Sequence, residues 1–492
     1  MRTYLVHTIY LDGCFLSLPN FFFTVNTKVS QSKEKTLLSP RSPKHKTSHR
    51  QRHHPIRYLL AHDIDMLGAQ LIIIIEHITL FMSQMKQFHV APMQCYTHQP
   101  TRKLYHLLSP SSIKWTEMEK LDDIFPKSES IDYLHHSLEK RLGSPQSYDE
   151  TNLVLQLGSN DPHRLKTCVE HAVQMYSFRE INLNCGCPAI ESGGAATYGA
   201  SLMKYPELTK SLVDSVKRGL ESVSASDRPK VSVKCRIGVF ENAEQMIPLG
   251  AEDFDKLHRY ITYICEAGAS HVVLHARPAV LTGLSPVRNR IVPSLDYEFV
   301  QNIAIEFEGK IDITLNGGIS SLTQIKSLQS DESSVISSYM SGRWCLRRPL
   351  DLVDVEVLLT DQSVPPTENT NTIKSALENY IDYALTMATL PSRRFTTSEL
   401  CLPLYLAVEQ LKDDWDYYEE DNQSAYQPSL SYDDIEFLLD VVRRGVIELE
   451  ECSNKGNKKV QKSNVYKYLS SSFKSLAGKK VVGKWKRNRA EL

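Results

Sequence analysis

Residues 180–188 read EINLNCGCP. The first five form a short β-rich run that ends on a polar residue, Asn184, and leads into a glycine turn. The same texture recurs on both sides. The runs are 88–93 (FHVAPM), 113–118 (IKWTEM), 152–158 (NLVLQLG), 180–184 (EINLN), 230–236 (KVSVKCR), 271–277 (HVVLHAR), 311–316 (IDITLN) and 335–340 (VISSYM). Helical stretches separate them, so the strands should pair in parallel through crossover connections. Eight such units over about 260 residues match the size of a (β/α)8 TIM barrel, an α/β fold.

Several runs end on a polar side chain: Gln156, Asn184, Lys234, His275 and Asn316. In a barrel the C-terminal strand ends form the rim on which an active site is built. The barrel is expected over 86–360. Residues 361–372 (DQSVPPTENTNT) read as a linker, rich in Pro, Thr and Asn and without apolar period. A small helical domain is expected over 373–492, because Ile373, Leu377, Ile381 and Leu385 form an amphipathic stripe. Further helical patterns lie near 401–412 and 433–450, with the acidic stretch 413–424 between them as a solvated loop. The end of the chain, 454–489, is rich in Lys and Arg and carries Trp485, a composition suited to phosphate contact and base stacking.

The formal net charge is -1, so whole-chain charge points to no polyanionic partner and local charge must be read instead. The 10 cysteines include no CxxC pair, and the lone C-x-C, Cys185 and Cys187, completes no metal site. Residues 1–85 are expected to be a targeting-like or disordered extension. An apolar start is followed by a basic, acid-poor, hydroxyl-rich stretch over 26–52. The expected location is the cytoplasm, or a plastid or mitochondrion if that leader is real. The apolar run Leu71–Phe81 is interrupted by Glu76 and His77 and is too short to span a bilayer, so no stable membrane association is expected.

The motifs occur in a fixed order: Ala91-Pro92-Met93, Thr116-Glu117-Met118, Gln156-Leu157-Gly158, Asn184-Cys185-Gly186-Cys187-Pro188, Lys234-Cys235-Arg236-Ile237-Gly238 and His275-Ala276-Arg277. Gly283-Leu284-Ser285-Pro286, Asn289-Arg290, Leu295-Asp296-Tyr297, Asn316-Gly317-Gly318 and Gly342-Arg343 follow. This set resembles the tRNA-dihydrouridine synthases, specifically their A-type branch, strongly over 88–350 and weakly over 373–490.

The resemblance implies an enzyme that reduces D-loop uridine of tRNA to 5,6-dihydrouridine, using FMN reduced by NADPH. It places the FMN ring against the Pro92-Met93 backbone, Gln156, Lys234 and His275. The FMN phosphate falls to Asn316, Gly317, Gly318, Gly342 and Arg343, at the ends of the last two strands, where TIM barrels usually hold phosphate. Reduction of uracil needs hydride at C6 and a proton at C5. The resemblance assigns the proton to Cys187 and contact with the uracil to Asn184. Cys185 is then buried filler. Arg277 and Arg290, with Arg288, would hold the RNA at the rim. Gly193, Gly194 and Gly199 would let the loop after Cys187 close over the target. There is no GxGxxG motif for a separate nicotinamide domain.

The chain departs from the pattern at Pro278, where the branch usually has Lys, and over 189–198, so RNA position is affected more than flavin binding. Two rival readings remain at this point. One is a flavin barrel oxidoreductase acting on a small molecule, for which a basic helical appendage has no use. The other is a non-catalytic tRNA-binding protein, against which Cys187, Lys234, His275 and Arg343 argue.

Overall fold

The computed structural model describes residues 9–11, 14–16, 85–143, 145, 150, 152–188, 198–330, 334–361, 366–390, 394–419 and 430–454. The chain divides into two units, Met1–Ile72 and Ile73–Leu492. In the first, Ile9–Leu11 pairs antiparallel with Cys14–Leu16. The leader expected over 1–85, the altered loop 189–198 with Gly193 and Gly194, and the basic tail 454–489 lie almost entirely outside the described residues.

The second unit is built on eight parallel strands, one from each expected run. They are β1 (Gln87–Val90), β2 (Lys114–Lys120), β3 (Leu153–Gly158), β4 (Glu180–Cys185), β5 (Lys230–Arg236), β6 (His271–His275), β7 (Asp312–Asn316) and β8 (Ser338–Ser341). From β2 to β8 each pairs with the next strand in sequence, and β8 pairs back onto β1. Ile113, just before β2, completes the ring. Its carbonyl accepts from Val90 N at 2.9 Å and its N–H donates to Phe88 O at 2.8 Å.

Strand alternation sorts the side chains. Leu155, Leu157, Ile181, Leu183, Cys185, Val233, Cys235, Val272 and Leu274 belong to the large core between strands and helices. Their alternates, among them Gln156, Asn182, Asn184, Ser232, Lys234 and His275, line the barrel interior. The apolar part of that interior is small: Ala91, Ile113, Trp115, Val154, Val273 and Met340.

The outer layer comprises α1 (Gln99–Leu108), α2 (Ile131–Leu142), α3 (Pro162–Met175), α4 (Pro206–Gly219), α5 (Ala251–Glu266), α6 (Tyr297–Glu306), α7 (Leu322–Gln329) and α8 (Leu352–Thr360). Ser130, Asp161, Asp296 and Ser321 cap α2, α3, α6 and α7 by accepting a backbone N–H three residues on. Helix α5 buries Leu257, Tyr260, Ile261 and Ile264, the spacing of one helical face. Beyond the strand ends, Val239–Asn242 pairs with Ala279–Thr282 as a ribbon joining the loops after β5 and β6.

Three helices follow: α9 (Pro366–Thr389), α10 (Thr397–Glu419) and α11 (Tyr432–Asn454). Ile373, Leu377 and Ile381 are buried against Leu404, Leu411, Leu438 and Val442, as their stripe requires. Two sequence expectations change here. Helix α9 starts inside the stretch read as a linker over 361–372, since Pro366 suits a first helical turn. The acidic stretch from 413 is helical as far as Glu419, because Asp414 is buried against Arg348 and Trp415 stacks on Tyr432 at 4.2 Å. Among the described residues, no helix is long and apolar enough to cross a membrane.

Candidate active site

Asn184 ends β4 and shapes the turn that follows. Its Oδ1 accepts from Gly186 N at 3.2 Å and from Cys187 N at 3.0 Å, as a side chain mimicking a turn does. The carbonyl of Cys187 accepts from Ala200 N at 2.8 Å. Gly199 makes this approach possible. Its φ is +73°, and a Cβ there would lie 2.5 Å from Cys187 O. This glycine therefore serves close backbone contact rather than loop freedom. Cys187 is half-buried, whereas Cys185 is fully buried and its thiol is pushed up to about 12 by burial.

Arg236 locks the turn from the neighbouring strand. Its Nε donates to Gly186 O at 3.1 Å, and its Nη1 donates to Asn289 O at 3.2 Å and Pro278 O at 3.4 Å. Three rim segments thus converge on one buried guanidinium. Pro278, the departure noted in the sequence, supplies one of these acceptors.

Lys234 lies two residues before Arg236, on the same face of β5. Burial first, then Arg236, lowers its ammonium to about 7. His275 is held well below 6.5, by burial and then by Arg236, Lys234, Arg277 and Arg343, so its imidazole is neutral. Its buried Nδ1 has no hydrogen-bond partner. Among the described residues, none of Lys234, Arg236, Arg277, Arg290 and Arg343 is paired with a carboxylate. This much uncompensated positive charge at the strand ends favours an anion.

Below the rim, a hydrogen-bonded chain runs through the barrel. Asn184 Nδ2 donates to Gln156 Oε1 at 2.9 Å, and Gln156 Nε2 donates to Asn182 Oδ1 at 2.8 Å. Asn182 Nδ2 donates to Ser232 Oγ at 2.7 Å, and Ser232 donates to Glu180. Glu180 also pairs with His271 Nδ1 at 3.0 Å, and His271 Nε2 meets Thr314 Oγ1 at 2.8 Å. Every donor from Cys187 N–H downward points towards Glu180, so no amide in the chain can flip without setting donor against donor. Glu180→Leu leaves the Ser232 hydroxyl proton and His271 Nδ1 without a partner and should cost about 2–4 kcal/mol. Glu180→Gln keeps an acceptor for Ser232 and should cost less than about 1 kcal/mol. Urea denaturation checks this, and equal stability of the two variants would rule out a chain that depends on its acceptor end.

The ends of β7 and β8 form a cradle. Asn316 Nδ2 donates to Met340 O at 2.9 Å, tying the two strand ends together. Gly317 and Gly318 follow with φ of +111° and +69°, and a Cβ on Gly318 would lie 2.5 Å from Leu295 Cδ1. Tyr297 Oη donates to Gly317 O at 2.7 Å, and Ser341 Oγ donates to Ile319 O at 2.7 Å. At Gly342 a Cβ would meet Met93 Sδ at 2.9 Å, so the Pro92-Met93 turn packs directly on this cradle. Thr97 holds that turn by accepting from Met93 N at 3.0 Å and donating to Met93 O at 3.1 Å.

The expected residues thus gather at one mouth, with two qualifications. Arg277 spends part of its guanidinium on Ile291 O and Pro293 O within the rim loop, while Arg290 is exposed. Asn184 gives its carbonyl to the Cys187 turn. Sequence reasoning assigned no role to Arg236 or to the chain Asn182–Ser232–Glu180–His271. The Lys-x-Arg spacing on β5 was the available signal, since alternate residues share a strand face.

A family model described as dihydrouridine synthase matches residues 89–401. A protein of Xanthomonas axonopodis pv. citri named tRNA-dihydrouridine(20/20a) synthase is 32% identical over 60% of this chain and 78% of its own length. Its namesakes in Shewanella oneidensis and Xanthomonas campestris pv. campestris are 32% and 33% identical, over 56% and 55% of this chain, each across 71% of their own lengths. A barrel with this mouth, matched by the family model over most of its length, belongs to the dihydrouridine synthase family, on its A-type branch.

Proposed function

We propose that the protein reduces uridine in tRNA to 5,6-dihydrouridine, with FMN as bound cofactor and NADPH as reductant. The observation that carries this reading is the meeting, at one barrel mouth, of the half-buried Cys187 with an unpaired cationic pocket and a glycine cradle. The residues present fit FMN. Gly317, Gly318 and Gly342 keep both turns free of side chains, since a Cβ there would meet Leu295 or Met93, so the backbone is bare for a phosphate, and the orphaned His275 Nδ1 is a buried polar atom awaiting a partner. Bound FMN supplies the hydride that passes to uracil C6.

The chain's residues then have separable tasks. Arg343 and the backbone of both glycine turns hold the phosphate. Lys234 and His275 would hold the flavin ring where reduction concentrates negative charge, with the Pro92-Met93 backbone beside it. Gln156, locked between Asn182 and Asn184, presents a fixed amide to it. Asn184 has a second Nδ2–H beyond the one given to Gln156, available to a uracil carbonyl. Cys187 donates the proton to C5. The target base must leave its stack to reach this depth, and Arg277 and Arg290 meet the phosphates around it.

The reading is tested by reducing the full-length protein with NADPH under anaerobic conditions and adding unmodified tRNA. Re-oxidation of the flavin by tRNA but not by free pyrimidines supports it. The reverse pattern would make this a small-molecule reductase. The relatives' names point to positions 20 and 20a as the first to assay. Gly318→Ala places a methyl group against Leu295 at a positive φ and should weaken FMN binding by at least about ten-fold. Titration of the apoprotein by flavin fluorescence checks this, and unchanged affinity would remove the turn from the phosphate site.

A further inference from the structure

We infer that the helical domain braces the phosphate cradle, and that Arg348, Asp414 and Gln410 are positioning residues for Arg343. The inference rests on the FMN reading above. Gly342 leads into a short helix, Arg343–Arg347, whose far end is capped by Arg348. Arg348 divides its guanidinium between the two domains. Its Nε donates to Asp351 Oδ2 at 2.9 Å, while Nη1 and Nη2 form a fork onto Asp414 of α10, at 2.8 and 3.2 Å.

A second tether runs parallel to the first. Gln410 of α10 accepts from Leu350 N at 2.8 Å and donates to Asp351 Oδ1 at 2.8 Å. Asp351 in turn accepts from Trp344 Nε1 at 2.9 Å. Trp344 is the residue after Arg343, and its ring sits edge-on to Phe88 of β1 at 5.6 Å. Gln410 and Asp414 are essentially fully buried. Truncating either therefore strands a buried polar group instead of releasing it to water.

The Arg343 side chain makes no hydrogen bond or ion pair to a described residue, so its placement depends on how its helix is held. The C-cap of that helix, Arg348, and the two residues Leu350 and Asp351 just beyond it are held from α10. The ring-binding residues Gln156, Lys234 and His275 stand on β3, β5 and β6 and have no such tether. The helical domain should therefore govern affinity for the phosphate and leave affinity for the ring alone.

The dissociation constants of FMN and riboflavin separate these terms, because the two ligands differ by the phosphate. With full-length apoprotein, Asp414→Asn is expected to weaken FMN by about ten-fold while riboflavin changes less than about two-fold. Arg348→Lys, which keeps the charge but loses the fork, should act in the same direction. Gln410→Leu serves if Asp414→Asn does not fold. Tyr380→Phe removes a bond from Tyr380 Oη to Leu400 O inside the helical domain and should alter neither constant. Equal weakening of both flavins, or no change in a folded tether variant, overturns the brace. Failure of the wild-type protein to prefer FMN over riboflavin overturns the cofactor reading first, and the brace with it.

Discussion

Cys187→Ala should lower dihydrouridine formation by about 10²–10⁴-fold, the usual contribution of a positioned general acid. Flavin content and the rate of flavin reduction by NADPH should stay near the wild-type level. The split follows from geometry. The backbone of the Cys187 turn is fixed by Asn184, Arg236 and Ala200 through main-chain atoms, and none of these contacts needs the thiol. Removing sulfur therefore deletes the proton donor without disturbing the pocket floor. Cys185→Ala is the internal control. That thiol lies in the layer between strands and helices, so its loss should cost stability and leave turnover of the folded protein unchanged. Stopped-flow measurement of the two half-reactions distinguishes the outcomes. Equal slowing of both half-reactions in Cys187→Ala would mean that the residue supports the flavin site and not the proton transfer.

Lys234→Met should impair flavin binding and turnover by at least about 10²-fold and yet stabilise the cofactor-free protein. In the structure Lys234 is half-buried, paired with no carboxylate among the described residues, and next to Arg236; burial first, then Arg236, lowers its ammonium to about 7 from 10.5. The sign follows directly. Between about pH 7 and 10.5 the unfolded chain holds the proton and the native site does not, so stability rises with pH across that window. Below about 7 the native site carries the charge at full cost. The thermal advantage of Lys234→Met should thus be greatest at pH 6.5 and shrink towards pH 10. In the wild type, FMN binding should take up a proton above about pH 7 and weaken as pH rises. Thermal denaturation of apoprotein across this pH range tests the point. A variant less stable than wild type at pH 6.5 would show that Lys234 has a compensating partner.

Much of the architecture was legible because strand signals are local. A run such as NLVLQLG shows its alternation within seven residues, and all eight runs carry strands in the fold. The glycine turns after β7 and β8 were visible as Asn316-Gly317-Gly318 and Ser341-Gly342-Arg343, and in the fold a Cβ there would meet Leu295 or Met93. What was not legible depends on partners far apart in sequence. The stretch around Asp414 reads as solvated acid until Arg348, 66 positions away, turns it into a buried ion pair. Asn184 reads as a substrate contact, but its carbonyl is spent on its own turn, and only the folded neighbours reveal that. Glu180 and Ser232 look like ordinary strand residues, and their roles emerge only when β4, β5 and β6 lie side by side.

The most direct test is the product itself. Full-length protein, FMN and NADPH are incubated with unmodified tRNA, and the nucleosides are resolved by mass spectrometry. The proposed function predicts dihydrouridine with the wild type and nearly none with Cys187→Ala. Wild-type protein that binds FMN, oxidises NADPH and still leaves every uridine of several tRNAs unreduced would contradict it.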